Sequence, residues 1–413
     1  MDGISLDSLF FDMNCYFASV CQAEEPHLRG RPVGVVTTDA PGAACIAVSV
    51  EAKQRGLEMG IRERDARAVC PDIVFREARH DLFVDYHHRI RDAVETVLPI
   101  DRVHSIDECS CRLMGAQRAL PRALAVGAEV QAVIKRRVSP ALRCSVGLGP
   151  NVLLAKTAAE LRKPEGLEWL SPEVMPGRIS HLQMEELPGI SFAMMHRLLS
   201  AGIRTVPQLY ALDPKAARHI WGSVEGERFL TQLRGGTVVY PEARRHSLSH
   251  SQILTPRNRS PEGARLVARR LLVKAAARLR RERRFARGLH VGAKEEGSGY
   301  RHAEGRIAPT RDTLHLLRTF ERYWRRLPVA RPVAVMIGLT GLLDESEHMG
   351  DLFIDRPVGG DSLEERLCRS IDRLNARFGQ DAVRFGELPP HKVAYTGAKI
   401  AFGRIPDRRE FRE

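Results

Sequence analysis

At 413 residues the chain is too long for one compact core and should divide into three or four domains. Hydrophobic residues make up 43% and charged residues 28%, an ordinary globular mixture that excludes global disorder. The formal net charge of +13 is unevenly placed: residues 241–340 hold 23 Lys and Arg against 8 Asp and Glu, a net of +15, so the other 313 residues sum to −2. One region therefore carries the positive field, as expected of a module that touches a polyanion.

In chain order, residues 8–13 (SLFFDM) read as a short buried strand ending at an acidic residue, and a helix follows from about Tyr16. Residues 32–38 and 44–48 are predicted strands, and 49–70 alternates helical segments with Gly56 and Gly60. An amphipathic helix is predicted over 82–97, a strand pair over 102–113, a helix over 126–137 and a strand over 142–149. Asn151 is placed to cap a helix that Pro164 and Gly166 stop. Short helices with Gly turns fill 182–235. After a connector at 236–246 the pattern becomes strand (248–254), helix (261–283), strand (287–295), strand (300–308), helix (312–326), strand (332–342). That βαββαβ succession is the one used by ferredoxin-like sheets. The remaining residues hold an amphipathic helix (362–378) and a polar tail with a short Ile-Ala-Phe strand.

Eight cysteines are scattered without a CxxC pair, which argues against a zinc site or a disulfide framework and fits a reducing cytosol. The first residues lack the basic stretch of a signal peptide, and the longest apolar run, near Pro332–Leu343, is too short to span a bilayer. The expectation is a soluble, cytoplasmic protein.

Chemistry is carried by carboxylates. A lone Asp12 at a strand end is most often a turn former. The adjacent Asp107 and Glu108 differ, because two carboxylates in an otherwise apolar-alternating segment repel each other unless a cation is shared. In a regular strand they point to opposite faces, so both serve one site only near a turn or a strand end. Converging with Asp12, they would form an oxygen-only donor set suited to Mg²⁺, two ions of which can activate a hydroxyl and stabilise leaving pyrophosphate.

Five motifs add a resemblance. FFDMNCYFASV (10–20) and HSIDE (104–108) resemble the acidic motifs of Y-family, translesion DNA polymerases. CSVGLGPNVLLAKTAAELRKPEGL (144–167) resembles their next palm segment, LPGI (187–190) with AGIRTVPQL (201–209) their helix-hairpin-helix, and SLSHSQIL (247–254) the entry to their little finger. Bacterial DNA polymerase IV-like members are the nearest kin by this measure.

The resemblance implies an α+β multidomain, right-hand polymerase. Its ferredoxin-like palm would comprise 1–17 and 83–171, small fingers 18–82, a helix-hairpin-helix thumb 172–236, a linker 237–246, a βαββαβ little finger 247–345 and a tail 346–413. Asp12, Asp107 and Glu108 would be catalytic and, with the Met13 carbonyl, hold two Mg²⁺ (or Mn²⁺). Tyr16, Phe17, Lys53 and Lys163 would meet the nucleotide, with Phe17 as the steric gate under C2′ of the incoming sugar. The backbone of Gly189 and Ile190 would bind DNA phosphate, as would Arg278, Arg280, Arg281, Arg283, Arg284 and Arg287. Few aromatics interleave with those arginines, so base stacking is not expected there. Leu352 and Phe353, in MGDLF (349–353), would anchor a sliding clamp. The implied activity is addition of dNTPs to a primer 3′-OH on template DNA by a monomer, with damage bypass, low fidelity and low processivity.

Two departures matter. Val50-Glu51-Ala52-Lys53 stands where the family commonly has Tyr-x-Ala-Arg, which removes a hydrogen-bond donor and the bidentate geometry of Arg. Asn14 replaces a common Asp. A catalytically weak accessory relative, or a non-enzymatic DNA-binding protein, are the alternative readings.

Overall fold

The computed structural model describes residues 4–37, 43–240, 244–297, 299–347, 363–379, 382–387 and 405. The expected clamp peptide (349–353, with Leu352 and Phe353) and the Ile-Ala-Phe strand lie outside these residues. The described residues form two units, one of residues 4–240 with Ile405 and one within residues 244–387. Both mix helix and sheet, as the α+β expectation requires.

In the first unit β1 (Ser8–Met13) leads through a sharp turn at Cys15, φ 50°, into α1 (Tyr16–Glu24). A small sheet follows: β2 (Val33–Val36) pairs antiparallel with β3 (Cys45–Val48) and parallel with β4 (Val74–Glu77). The intervening helices are α2 (Val50–Lys53), N-capped by Ser49, and α3 (Glu63–Val69). Helix α4 (His80–Val94), the hairpin β5 (Ile100–Val103) and β6 (Glu108–Arg112), α5 (Leu120–Arg137), β7 (Cys144–Gly149), α6 (Val152–Glu160) and β8 (Leu167–Trp169) complete the main sheet. Its order is β5-β6-β1-β7-β8. Counting β1, β5, β6 and β7 as strands one to four, the order is 2-3-1-4, the ferredoxin-like arrangement with β1 central.

Strand alternation gives β1 two buried faces. Leu9, Phe11 and Met13 join the large core under α4 and α5, together with Phe83, Ile90, Val130 and Ile134. Phe10 faces the other way, against Ala155 and Ala159 of α6. That helix lies directly on β7 because two glycines remove the side chains between them. A Cβ at Gly147 would sit 2.0 Å from the Ala155 carbonyl oxygen, and one at Gly149 2.6 Å from its nitrogen. Helices α7 (Phe192–Ser200), α8 (Val206–Ala211), α9 (Pro214–Trp221) and α10 (Glu225–Leu233) pack around a separate core of Leu187, Leu198, Leu209 and Leu230.

The second unit has β9 (Ser247–Ile253), α11 (Pro261–Arg281), β10 (Arg284–Glu295), β11 (Tyr300–Thr310), α12 (Thr313–Trp324) and β12 (Pro332–Thr340). The βαββαβ succession is as expected, but the sheet is not ferredoxin-like. Its order, β11-β10-β12-β9, is 3-2-4-1, so the second and fourth strands are central rather than the first and third. Element order alone does not choose between the two, since both give wholly antiparallel pairing. Helices α11 and α12 cover one face through Leu272, Leu279, Phe320 and Trp324. Helix α13 (Leu363–Phe378) is tied to α11 by a bidentate Arg280–Asp372 pair at 2.6 and 2.8 Å.

Candidate active site

Asp12 lies opposite Glu108 in the β1–β6 ladder and opposite Ser145 in the β1–β7 ladder. Residues opposite one another share a face, so Asp12 and Glu108 both point to the side that α6 covers. One carboxylate oxygen from each of Asp12, Glu108 and Glu160 lies within 4.8 Å of the others. Two lysines of the same segment balance the charge. Lys156 Nζ is 2.5 Å from Glu108 Oε1 and 5.3 Å from the centre of the Phe10 ring. Lys163 Nζ donates to Asp12 Oδ2 at 3.0 Å and to Glu160 Oε1 at 2.7 Å.

Burial is the largest influence on Asp12 and pushes its carboxyl up to about 7 against the opposing pull of Lys163. Burial likewise raises Asp107. For Lys163 burial acts downward, but Asp12 and Glu160 outweigh it and the ammonium is held above its ordinary value. An acidic cluster whose central member resists ionisation in the free protein is one that a cation would stabilise. All donors are oxygen, which fits a hard divalent ion.

The oxygens gathered within 4.8 Å of one another are those of Asp12, Glu108 and Glu160, and Asp107 stands next to that group, with its charge reaching Asp12. Asp107 lies in the bend that immediately precedes β6, where its carboxylate takes the Ser105 hydroxyl. Its backbone carbonyl receives the Met13 N–H at 3.0 Å, which sets it beside the end of β1, and its charge is felt at Asp12.

Tyr16 cannot offer its side chain to a nucleotide. The ring is buried and its hydroxyl donates to the Phe83 carbonyl at 2.6 Å. Phe17 is partly exposed and stacks on Phe83 with ring centres 4.4 Å apart. Lys53 is exposed at the end of α2, and both it and Lys163 act on the Cys15 thiol, which burial raises overall. Asn14 is buried, donates to Ser145 Oγ at 3.1 Å and accepts the Glu165 N–H at 2.9 Å. It thereby pins the loop that carries Lys163, a role an aspartate could not fill on the donor side.

A cleft of about 700 Å³ opens on the same face of the sheet, lined among others by Phe10, His104, Ser110, Lys156, Pro188 and Gly189. Gly189, at φ +94°, makes the tight turn before α7. Ile190 is not free to bind phosphate, because its N–H is held by the Leu187 carbonyl at 3.1 Å and its side chain is buried.

The expected arginine cluster of the second unit divides. Arg280 is withdrawn from it: its side chain is 4% exposed, and it bonds Asp372, the Arg311 carbonyl and Thr313. Arg278 is committed to Glu282 at 2.8 Å and Arg284 to Asp344 at 2.9 Å. Arg281, Arg283 and Arg287 are exposed. Helical periodicity predicts this in part, since Arg280 falls on the buried side with Ala276 and Leu272.

Glu160 and Lys156 were missed by sequence reasoning. Their spacing with Lys163, at i, i+4 and i+7 along one helix and its exit, places all three on one stripe and was the available signal.

A ferredoxin-like sheet whose central strand ends in a carboxylate cluster, joined to a basic βαββαβ unit, defines the class as a nucleic-acid polymerase. Residues 11–160 match the impB/mucB/samB family, and residues 245–352 match the C-terminal domain of that family. DNA polymerase IV of Moorella thermoacetica is 32% identical over 411 residues, covering 96% of this chain and 98% of the relative. DNA polymerase IV of Pelotomaculum thermopropionicum is 29% identical over 389 residues, covering 91% and 93%. Among solved structures, the Y-family DNA polymerase chimera Dbh-Dpo4(243-245)-Dbh superposes with a TM-score of 0.65 at 18% identity, covering 82% of this chain and 99% of that one, a likeness of fold. The chain belongs to the impB/mucB/samB family and is a Y-family, DNA polymerase IV-like protein.

Proposed function

We propose that the Asp12 end of the first sheet is where this template-directed DNA polymerase of the translesion type adds dNTPs to a primer 3′-OH. The observation that carries this is the gathering of Asp12, Glu108 and Glu160 within 4.8 Å of one another, with two lysines beside them. Asp12, Glu108 and Asp107, with the Met13 carbonyl, would hold two divalent ions, Mg²⁺ by the hardness of the donor set. When bound, such ions lower the cost of the attacking oxyanion and of the departing pyrophosphate.

The remaining contributions come from the chain. Lys163 reaches from the exit of α6 and meets the triphosphate; Asn14 keeps its loop in place. Lys156 orients Glu108 and is a positioning residue. Phe17, braced by Phe83, presents a ring edge that a ribose 2′-OH would strike, which selects deoxynucleotides. Lys53 supplies a point charge to the outer phosphates. The cleft between Phe10, Lys156 and Gly189 seats the primer strand. Residues 1–17 with 83–171 act as palm, 18–82 as fingers, 172–236 as thumb and 247–345 as little finger, the last holding duplex backbone through Arg281, Arg283 and Arg287. Small fingers leave the site permissive, which favours damage bypass and lowers fidelity. Leu352 and Phe353 remain the proposed clamp anchor.

The test is primer extension on an undamaged template with Mg²⁺ and four dNTPs, comparing the native chain with Asp107→Ala. Extension by the native chain alone supports the site. Extension by neither, with DNA binding intact, would favour an accessory role.

A further inference from the structure

The turn between β5 and β6, which carries Asp107 and Glu108, is gripped from behind by a histidine that the proposed chemistry leaves unused. His87 lies in the middle of α4, is 2% exposed, and its Nδ1 stands 2.7 Å from the Ile106 carbonyl oxygen. A carbonyl only accepts, so Nδ1 carries the proton and donates it. Burial pushes the ring down to about 4, so it is neutral and has a single N–H to give. Its other nitrogen, Nε2, is buried and has no hydrogen-bond partner among the described residues. A buried acceptor left unpaired costs stability. An aliphatic side chain of similar size would fill the space without that acceptor, so what the imidazole adds is its Nδ1–H.

That hydrogen bond holds the residue directly before Asp107. The rest of the turn is closed on itself or on β1. The N–H groups of His104 and Ser105 reach the Glu108 carbonyl at 2.9 and 3.2 Å, and the Met13 N–H reaches the Asp107 carbonyl at 3.0 Å. The Ile106 carbonyl is held instead by a helix. One turn earlier in that helix the Phe83 carbonyl accepts the Tyr16 hydroxyl, and the Phe83 ring stacks on Phe17. Residues four apart on a helix stand one above the other. Successive turns of α4 therefore brace the Phe17 ring and the carboxylate turn from one rigid element.

We propose that His87 is a positioning residue for the metal site: through the Ile106 carbonyl it fixes where Asp107 and Glu108 present their oxygens relative to Asp12 and Phe17. It touches neither nucleotide nor ion and acts only through the turn. The inference rests on the reading of Asp107 and Glu108 as metal ligands. Groups that orient the ligands of a metal without touching it are worth about 10–100-fold in affinity or rate.

Three replacements in the full chain separate positioning from packing. His87→Asn sets an amide N–H where Nδ1 stands, His87→Gln carries its amide to the place of Nε2, and His87→Leu keeps volume without a donor. The readouts are Mn²⁺ binding by electron paramagnetic resonance without nucleotide, counting the ion lost in Asp12→Asn, then kcat for primer extension, and primer–template affinity. His87→Gln and His87→Leu should each weaken Mn²⁺ binding and lower kcat about tenfold, while His87→Asn stays close to native. Primer–template affinity should not move in any of them, which shows that they are folded. A side chain that only packs predicts the reverse order, with leucine nearest to native. His87→Asn no better than His87→Gln, or native Mn²⁺ affinity in His87→Gln, would overturn the proposal, and that pair decides even where His87→Leu does not fold. A native chain with no Mn²⁺ site sensitive to Asp12 would sink the carboxylate reading as well; an intact site indifferent to His87 would sink the positioning role alone.

Discussion

The two main sheets of this protein share a succession of elements and little else. Where β1 is the central strand of the first sheet, its counterpart β9 is at the edge of the second. Centrality buries β1 on both faces, so the carboxylate at its end is desolvated and its charge must be met by neighbours or by a cation. Among the described residues helices cover one face of the second sheet, and its other face is surfaced by Gly288, Gly292, Gly338 and Ser251 under exposed rings and arginines. Burial concentrates carboxylates in one unit; the other leaves much of its positive charge exposed.

The comparison breaks first, if at all, at Asp12. Asp12→Asn should lower primer extension by on the order of a thousandfold, because divalent-ion stabilisation of the reacting oxygens is worth several kcal/mol. A loss below about tenfold would remove the site from the first sheet.

Arg280 tests whether positive charge in the second unit is uniformly for binding. Arg280→Ala leaves Asp372 without its buried partner and should cost about 3–5 kcal/mol in denaturant unfolding. Arg283→Ala, at an 83% exposed side chain, should change stability by about 0.5 kcal/mol or less.

Proton linkage sharpens the contrast in burial. Asp12 is raised to about 7 from an ordinary carboxylate value, so between those limits the native state holds a proton that the unfolded chain does not. Stability from this group is therefore complete at low pH and lost as pH rises through about 7. A cation must displace that proton. The Mg²⁺ concentration for half-maximal extension should accordingly fall about tenfold from pH 6 to 8 and level off above 8. A flat dependence would show that Asp12 is already ionised in the free enzyme.

The smallest effect concerns phosphate contacts. Arg283→Ala or Arg287→Ala should reduce the slope of log affinity against log salt by about one each, without a preference among sequences. Salt titration of duplex binding measures it, and an unchanged slope would exclude that arginine from the interface.

Much of this was legible in the order of residues. The strand ending at Asp12, the Asn151 cap, which accepts the Leu154 N–H at 2.9 Å, and the helices flanking each sheet follow from periodicity and capping, which act over a few residues. The acidic motifs were legible only through their resemblance to the Y-family, which periodicity and capping do not supply. Tertiary structure alone decided which strands became central, because both sheet orders satisfy the same local patterns and only packing of the covering helices separates them. It decided that Glu160 rather than Asp107 completes the nearest carboxylate group, through the close approach of α6 that Gly147 and Gly149 permit. It also turned Arg280 inward and laid His290 beside Tyr300, ten residues apart in the chain and hydrogen-bonded across a hairpin. Local sequence sets what each segment can become; the energies that choose among those outcomes come from burial and close packing between segments, which no single segment contains.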